Sequence, residues 1–137
     1  MNARRSALVL VLAVAAGATA CSKDKEVLAF VSDFDTFSNE IVKQVKQAPN
    51  PSAGVDAAQK YLDDNRARIK TGLSSIKSVK NFQISEATKK TVEQSLTKDA
   101  TAVASLQMDY VMQMATDTAF RKKIEKLVGD YRDVVAQ

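Results

Sequence analysis

The chain has 137 residues, with 20 Lys and Arg, 16 Asp and Glu, one Cys and no His. The absence of His excludes the commonest metal ligand and the commonest acid–base catalyst, and a single Cys excludes a disulfide within the chain. Without the two arginines of the first 20 residues, the formal charge falls from +4 to +2 (18 basic minus 16 acidic residues), which gives no indication of a nucleic-acid-binding surface.

The first 20 residues have the three parts of a secretory signal peptide. MNARR supplies positive charge, SALVLVLAVAAGA supplies an apolar stretch, and ATA supplies small residues at a cleavage point. The apolar stretch is shorter than the about 20 residues that a membrane-spanning helix needs. We therefore expect residues 1–20 to be removed, which leaves enough chain for one hydrophobic core.

The only cysteine directly follows this leader, in Ala18-Thr19-Ala20-Cys21. These residues resemble the lipobox of bacterial lipoproteins, a family that prefers Leu where this chain has Ala18. The resemblance implies that the Cys21 thiol receives a diacylglycerol, that cleavage occurs before it, and that residues 21–24 form a short lipidated tether. Ala-x-Ala is also a substrate pattern of the ordinary signal peptidase, so a secreted or periplasmic soluble protein is the alternative.

The same resemblance implies a place in the cell. Lipoproteins of this type are lipid-anchored in the bacterial cell envelope, often with a palmitate on the new amino terminus. Ser22 stands where Asp would oppose outer-membrane sorting in that family. The resemblance therefore implies an anchor in the outer membrane, facing the periplasm, if the host is Gram-negative.

Apolar residues in the mature chain recur at steps of three and four, which predicts helices packed in a bundle. We predict helix A over 24–47, ended by the two prolines of 48–52, and helix B from 51–55 to about 79. Helix C is predicted from a cap at Ser85 to about 115, and helix D from a cap at Thr116 or Asp117 to the C-terminus.

The connections between these helices are short, which favours antiparallel neighbours. The predicted fold of residues 25–137 is therefore all-α, an antiparallel up-down-up-down four-helix bundle. A three-helix bundle, in which helices C and D form one bent helix, is the alternative.

No pattern in the sequence points to catalysis. A glycine-rich phosphate loop and a Gly-x-Ser-x-Gly elbow are missing, as are the Cys-x-x-Cys-His and Glu-x-x-His motifs of haem and di-iron bundles. The acidic pairs Asp33/Asp35 and Asp63/Asp64 diverge around a helix, so neither pair shares a proton or a cation. We expect a protein that is not an enzyme and has no cofactor or metal.

Residues 100–115 contain a single charge, Asp109. Four of the apolar side chains form the expected core face, namely Val103, Leu106, Tyr110 and Met114. A second apolar sector lies on the other side and consists of Ala104, Met108, Val111, Met112 and Ala115. Such a helix is either buried on two sides or presents a surface to a partner. We interpret this second group, called here the methionine sector, as a surface for a protein partner or a second copy of the chain.

The methionines could also suggest a Cu(I) site, since thioethers bind that ion. Met108 and Met112 share a helix face, but Met114 lies about 160° around the helix from Met112. A site with three sulfur ligands is therefore not expected, and the methionines are interpreted as apolar side chains.

Ser38, Asn65 and Asp99 each occupy an apolar position of a helical stripe. Antiparallel pairing of consecutive helices places all three at one height, so we predict a buried polar layer in which Asn65 donates to Asp99 and Ser38 joins. The alternative is that Asp99 reaches solvent or a basic side chain at the edge of its stripe.

The predicted polar layer would fix helix register or form the polar floor of a ligand cavity. The alternative function is therefore a carrier of a small apolar ligand or lipid.

Overall fold

The computed structural model describes residues 22–136, which form four long helices and one short helix. The elements are α1 (Asp24–Gln47), α2 (Pro51–Ser78), a 3₁₀ turn (Asn81–Gln83), α3 (Glu86–Asp109), α4 (Val111–Thr116) and α5 (Thr118–Val135). No strand occurs in this part of the chain. The predicted all-α helical bundle is therefore confirmed. The signal peptide, Cys21 and Gln137 lie outside the described residues.

The helix ends follow from local chemistry. Asn50 caps α2 by accepting a hydrogen bond from the Ala53 amide at 3.1 Å, and Pro51 occupies the first turn, where its missing N–H costs nothing. Ser85 caps α3, and Asp117 caps α5 by accepting from the Phe120 amide at 2.9 Å. The predicted cap at Ser85 is confirmed, and of the two candidates for the last helix the structure has Asp117 as the cap; the cap at Asn50 was not predicted.

The prediction that helix C runs unbroken to about 115 is wrong. The helix breaks at Tyr110, whose backbone leaves helical geometry at φ −111° and ψ 17°, and the short α4 follows. The ring of Tyr110 packs edge-on against Phe120 of α5 at 5.5 Å between centroids, and its hydroxyl donates to the Val45 carbonyl at 3.3 Å. Tertiary contacts of one large side chain therefore accompany the break in a continuous helical pattern.

The long helices run up-down-up-down, but they are not arranged around the bundle in chain order. α1 packs against both α2 and α3, and α5 also packs against both α2 and α3. The first turns of α1 and α3 meet, since the Ser85 amide donates to Asp24 at 2.8 Å. α1 therefore lies parallel to α3, and the connection from α2 to α3 crosses the bundle, so that α2 and α3 are diagonal to each other.

Aromatic side chains fill the centre of the bundle between the other diagonal pair, α1 and α5. Phe37 stacks on Tyr131 with ring centroids 6.0 Å apart and planes 10° from parallel, and Phe34 lies 6.3 Å from the same ring. All three are fully buried. Aromatic rings therefore fill the core at mid-height, and the hydroxyl of Tyr131 is a polar group buried within it.

Candidate functional site

Two of the three residues of the predicted polar layer are buried at the same height. Ser38 of α1 and Asp99 of α3 are 1% and 0% exposed. The Ser38 hydroxyl is hydrogen-bonded to the Tyr131 hydroxyl at 2.7 Å. Of the alternative, contact of Asp99 with solvent is excluded by its burial, whereas contact with a basic side chain is present, because the Lys98 ammonium lies 3.4 Å from its carboxylate.

The predicted hydrogen bond from Asn65 to Asp99 is wrong. The Asn65 amide donates to the Tyr61 carbonyl of its own helix at 2.9 Å, and its oxygen accepts from Arg68. The Asp99 carboxylate has no hydrogen-bond partner among the described residues. Asn65 and Asp99 lie at a similar height along the bundle, but their helices, α2 and α3, are diagonal to each other. Asn65 therefore does not reach Asp99. Tyr131 of α5 completes the layer instead.

A second carboxylate, that of Asp35 on α1, lies beside Asp99, and the sequence interpretation did not predict this neighbour. Asp35 accepts a hydrogen bond from Ser95, which is one turn before Asp99 on α3. The Lys98 ammonium lies 3.4 Å from a carboxylate oxygen of both acids. Ser38, Tyr131 and these four residues form what we call the carboxyl cluster.

Burial and the neighbouring Asp35 carboxylate raise the pKa of Asp99 to about 6, against a smaller opposing effect of Lys98. Burial also acts to raise the pKa of Asp35, but hydrogen bonds from Ser95 and Asp99 and the charge of Lys98 together lower it. Asp99 therefore takes up a proton at a higher pH than Asp35 does. At neutral pH the buried Asp99 carboxylate is ionised, and the Lys98 ammonium at 3.4 Å is the only cationic group beside it in the described part of the chain.

A signal for this pairing was present in the sequence. Asp35 lies three residues before Ser38, and Ser95 lies four residues before Asp99, so each polar pair shares one helix face. Asp33 and Asp35 point in different directions, as predicted. Asp33 forms an ion pair with Arg68 of α2, whereas Asp35 faces α3. Only the adjacency of α1 and α3 brings Asp35 to Asp99, and no pattern within one helix reveals that adjacency.

The Ser38 and Tyr131 hydroxyls provide a stability test of the cluster. Tyr131→Phe and Ser38→Ala should each lower the free energy of unfolding by about 1 to 2 kcal/mol, because each leaves a buried hydroxyl without its partner. The double variant should lose less than the sum by about 1 kcal/mol. Urea unfolding followed by helical circular dichroism measures all four proteins, and strictly additive losses would contradict a direct interaction between the two hydroxyls.

The methionine sector lies at the surface. Met108, Val111 and Met112 are 73%, 50% and 79% exposed, Ala115 is exposed and Ala104 is half-buried. The sector spans the break between α3 and α4, and it lies near the end of the bundle where α1 finishes, since Asp109 pairs with Lys46 at 2.7 Å. Large apolar side chains are therefore exposed about 30 Å along the helices from the first turn of α1.

An apolar groove runs beside this sector between α3 and α5. It has a volume of about 500 Å³, and small or aliphatic side chains make up most of its lining, among them Ala100, Ala104, Val128 and Val135. Tyr131, a member of the carboxyl cluster, is also one of the residues that line the groove. Ala104 belongs to both the groove and the methionine sector.

The fold and these surfaces define the class of the described domain as an all-α four-helix bundle with an exposed apolar face. No protein-family model, no curated protein and no solved structure matches the chain. None of the helices in the described part of the chain is both long and apolar enough to cross a membrane. The chemistry and geometry of the described residues therefore carry the functional assignment.

Proposed function

We propose that the protein is a lipoprotein of a bacterial cell envelope, anchored through a lipid on Cys21, whose helical bundle is a non-catalytic module that binds a protein partner. The exposed methionine sector is the observation that carries this proposal. Monomeric soluble proteins seldom expose neighbouring large apolar side chains, and such groups are typical of interaction surfaces. Methionine is well suited to this use because its flexible thioether adapts to different partner shapes.

The position of the sector supports the same function. The lipobox-like Cys21 precedes α1, and the sector lies toward the opposite end of the bundle, where Asp109 meets Lys46. A domain anchored at its first helix would hold Met112 away from the bilayer and in reach of a partner in the periplasm or on another envelope protein. The membrane anchor and the partner surface therefore do not compete for the same end.

The sector can be tested with Met108→Lys combined with Met112→Lys. Both side chains are exposed, so the free energy of unfolding should stay within about 1 kcal/mol of the wild type. Binding should be lost, because two ammonium groups would have to be desolvated in an apolar contact. Photo-crosslinking from the Val111 position in living cells should give discrete protein adducts that disappear in the double variant.

A matched control carries the same added charge on another exposed face of α3. Gln94→Lys combined with Thr97→Lys should leave both the adducts and the stability unchanged. Adducts that persist in the Met108/Met112 variant, or unfolding of that variant, would contradict the proposal. Sedimentation of the purified protein distinguishes a second copy from a different partner, since only self-association raises the sedimentation coefficient of the pure protein with concentration.

The α3–α5 groove favours a second candidate function, a carrier of a small apolar ligand or lipid. Its volume and its largely apolar lining match those of a typical ligand site. Ala104→Phe would fill the groove from a half-buried position. Loss of an organic-extractable ligand from the Ala104→Phe protein, without loss of crosslinked adducts, would favour the carrier over the interaction module.

A further inference from the structure

The connection between α2 and α3 exposes a large aromatic side chain at the end of the bundle where α1 begins. Phe82, in the 3₁₀ turn, is 80% exposed, the most exposed of the large apolar residues among positions 22–136. The ammonium group of Lys80 lies over its ring, with the Nζ 6.0 Å from the ring centroid.

The turn that carries Phe82 is held in place by hydrogen bonds. The Lys23 amide donates to the Gln83 carbonyl at 2.8 Å, and the Ser85 amide donates to the Asp24 carboxylate at 2.8 Å, which lowers the pKa of Asp24. Within the turn, the Lys80 amide donates to the Gln83 side chain at 2.9 Å. Phe82 is therefore exposed on an ordered turn that is bonded directly to the start of α1.

Cys21 is only two residues before Lys23, a reach of at most about 7 Å. Any lipid on Cys21 would therefore keep the turn that carries Phe82 close to the bilayer surface. Bilayer interfaces favour aromatic rings at the level of the lipid headgroups.

The charge around this turn is positive on balance, because Glu26 and Glu86 are paired with Lys23 and Lys89 and four further lysines lie nearby. Lys25, Lys77, Lys80 and Lys90 are all exposed and make no ion pair with another described residue. They lie on α1, α2, the connecting turn and α3, within about two helical turns of Phe82. Lysines close to a surface of acidic lipids each add about 1 kcal/mol of attraction.

We propose that this end of the bundle docks on the headgroup region of a bilayer that contains anionic phospholipid, with Phe82 inserted and Lys77 and Lys80 beside it. The proposal rests on the anchor at Cys21 and gives the anchored domain a fixed orientation. The turn lies flat against the membrane, and α1 and α3 point away from it. The methionine sector then faces away from the bilayer, which leaves it open to a partner.

The chain contains no Trp, so one introduced indole reports on its own surroundings. Phe82→Trp is compared with Met112→Trp, which places the indole at the far end of the bundle. Each protein, purified from membranes, is reconstituted in vesicles of phosphatidylcholine and phosphatidylglycerol whose acyl chains carry bromine. The emission of the Phe82→Trp protein should shift to shorter wavelength and be quenched several-fold more than that of the Met112→Trp protein.

The same experiment tests the contribution of the lysine charges to docking. Adding Lys77→Gln and Lys80→Gln to the Phe82→Trp protein should lower the docking equilibrium by about five-fold per lysine on anionic vesicles. On phosphatidylcholine alone these changes should have little effect. Equal and weak quenching of the two indoles would overturn the docked orientation. Quenching that is unchanged by the two lysine substitutions would overturn the proposed attraction to anionic lipid.

Failure of the anchor gives a different result. If the mass of the amino-terminal peptide shows an unmodified Cys21, the proposed anchor is wrong. The thiol can then be coupled to a maleimide lipid, which places the domain on the vesicles by chemistry alone. Selective quenching of the Phe82→Trp indole in that tethered protein would still support docking, and its absence would overturn docking.

Discussion

Cys21→Ala should release the protein from membranes and abolish its labelling by palmitate. Alanine has no sulfur to receive a diacylglycerol, and the lipid supplies the anchoring energy at about 0.8 kcal/mol for each buried methylene group. Since none of the helices in the described range 22–136 can span a membrane, no described segment replaces the lost lipid. Fractionation of cells with radiolabelled palmitate measures both effects.

Ser22→Ala is the matched control, because it changes the adjacent side chain and keeps the thiol. It should remain labelled and stay in the membrane fraction. A wild-type protein that is unlabelled and appears in the periplasmic fraction would instead support cleavage by the ordinary signal peptidase and would refute the anchor. The weak docking expected from Phe82 and the lysines is too small to retain the Cys21→Ala protein through washing with salt.

Asp99→Asn should stabilise the folded protein at pH 7.5 by about 2 to 3 kcal/mol. The folded pKa of about 6, against an ordinary value of 3.8, corresponds to about 3 kcal/mol of unfavourable ionisation. Because the folded pKa is raised, the folded state binds more protons than the unfolded state between about pH 4 and pH 6. The stability of the wild type should therefore fall as the pH rises through this range and level off above it.

The amide side chain introduced by Asp99→Asn does not titrate, so the contribution of this position to that fall should disappear. Urea unfolding at several pH values between 4 and 8 measures the difference between the two proteins. Asp35→Asn is the informative control, since it removes the carboxylate that helps to raise the pKa of Asp99. The fall in stability of the Asp35→Asn protein should then occur at lower pH. An Asp99→Asn protein that is less stable than the wild type at pH 7.5 would contradict an unfavourable ionisation of Asp99 in the folded state.

The helices and their caps could be predicted from the sequence because they depend on local patterns. The prolines at 49 and 51 end α1, Ser85 and Asp117 cap α3 and α5, and the steps of three and four give the buried faces. The height of the polar layer was also predictable, since antiparallel helices of known length fix which residues lie level. The break at Tyr110 was not, because it accompanies contacts with Phe120 and Val45 that no local pattern contains.

The lateral order of the helices was the main thing that the sequence could not supply. A connection of seven residues, 79–85, can join α2 either to a neighbour or across the bundle, and the sequence patterns fit both arrangements. That choice decides whether Asp99 meets Asn65 or Asp35. The sequence also could not decide whether the methionine sector is exposed, because an apolar face predicts either deep burial or a partner surface.

The mass of the wild-type protein extracted from bacterial membranes tests the central claim, a lipid-anchored interaction module, most directly. We predict a chain that begins at Cys21, with the mass of a diacylglycerol on the thiol and of a fatty acid on the new amino terminus. Fragmentation should place both groups on the first residue of the mature chain. A mass that shows an unmodified Cys21, or that still includes residues 1–20, would contradict the account.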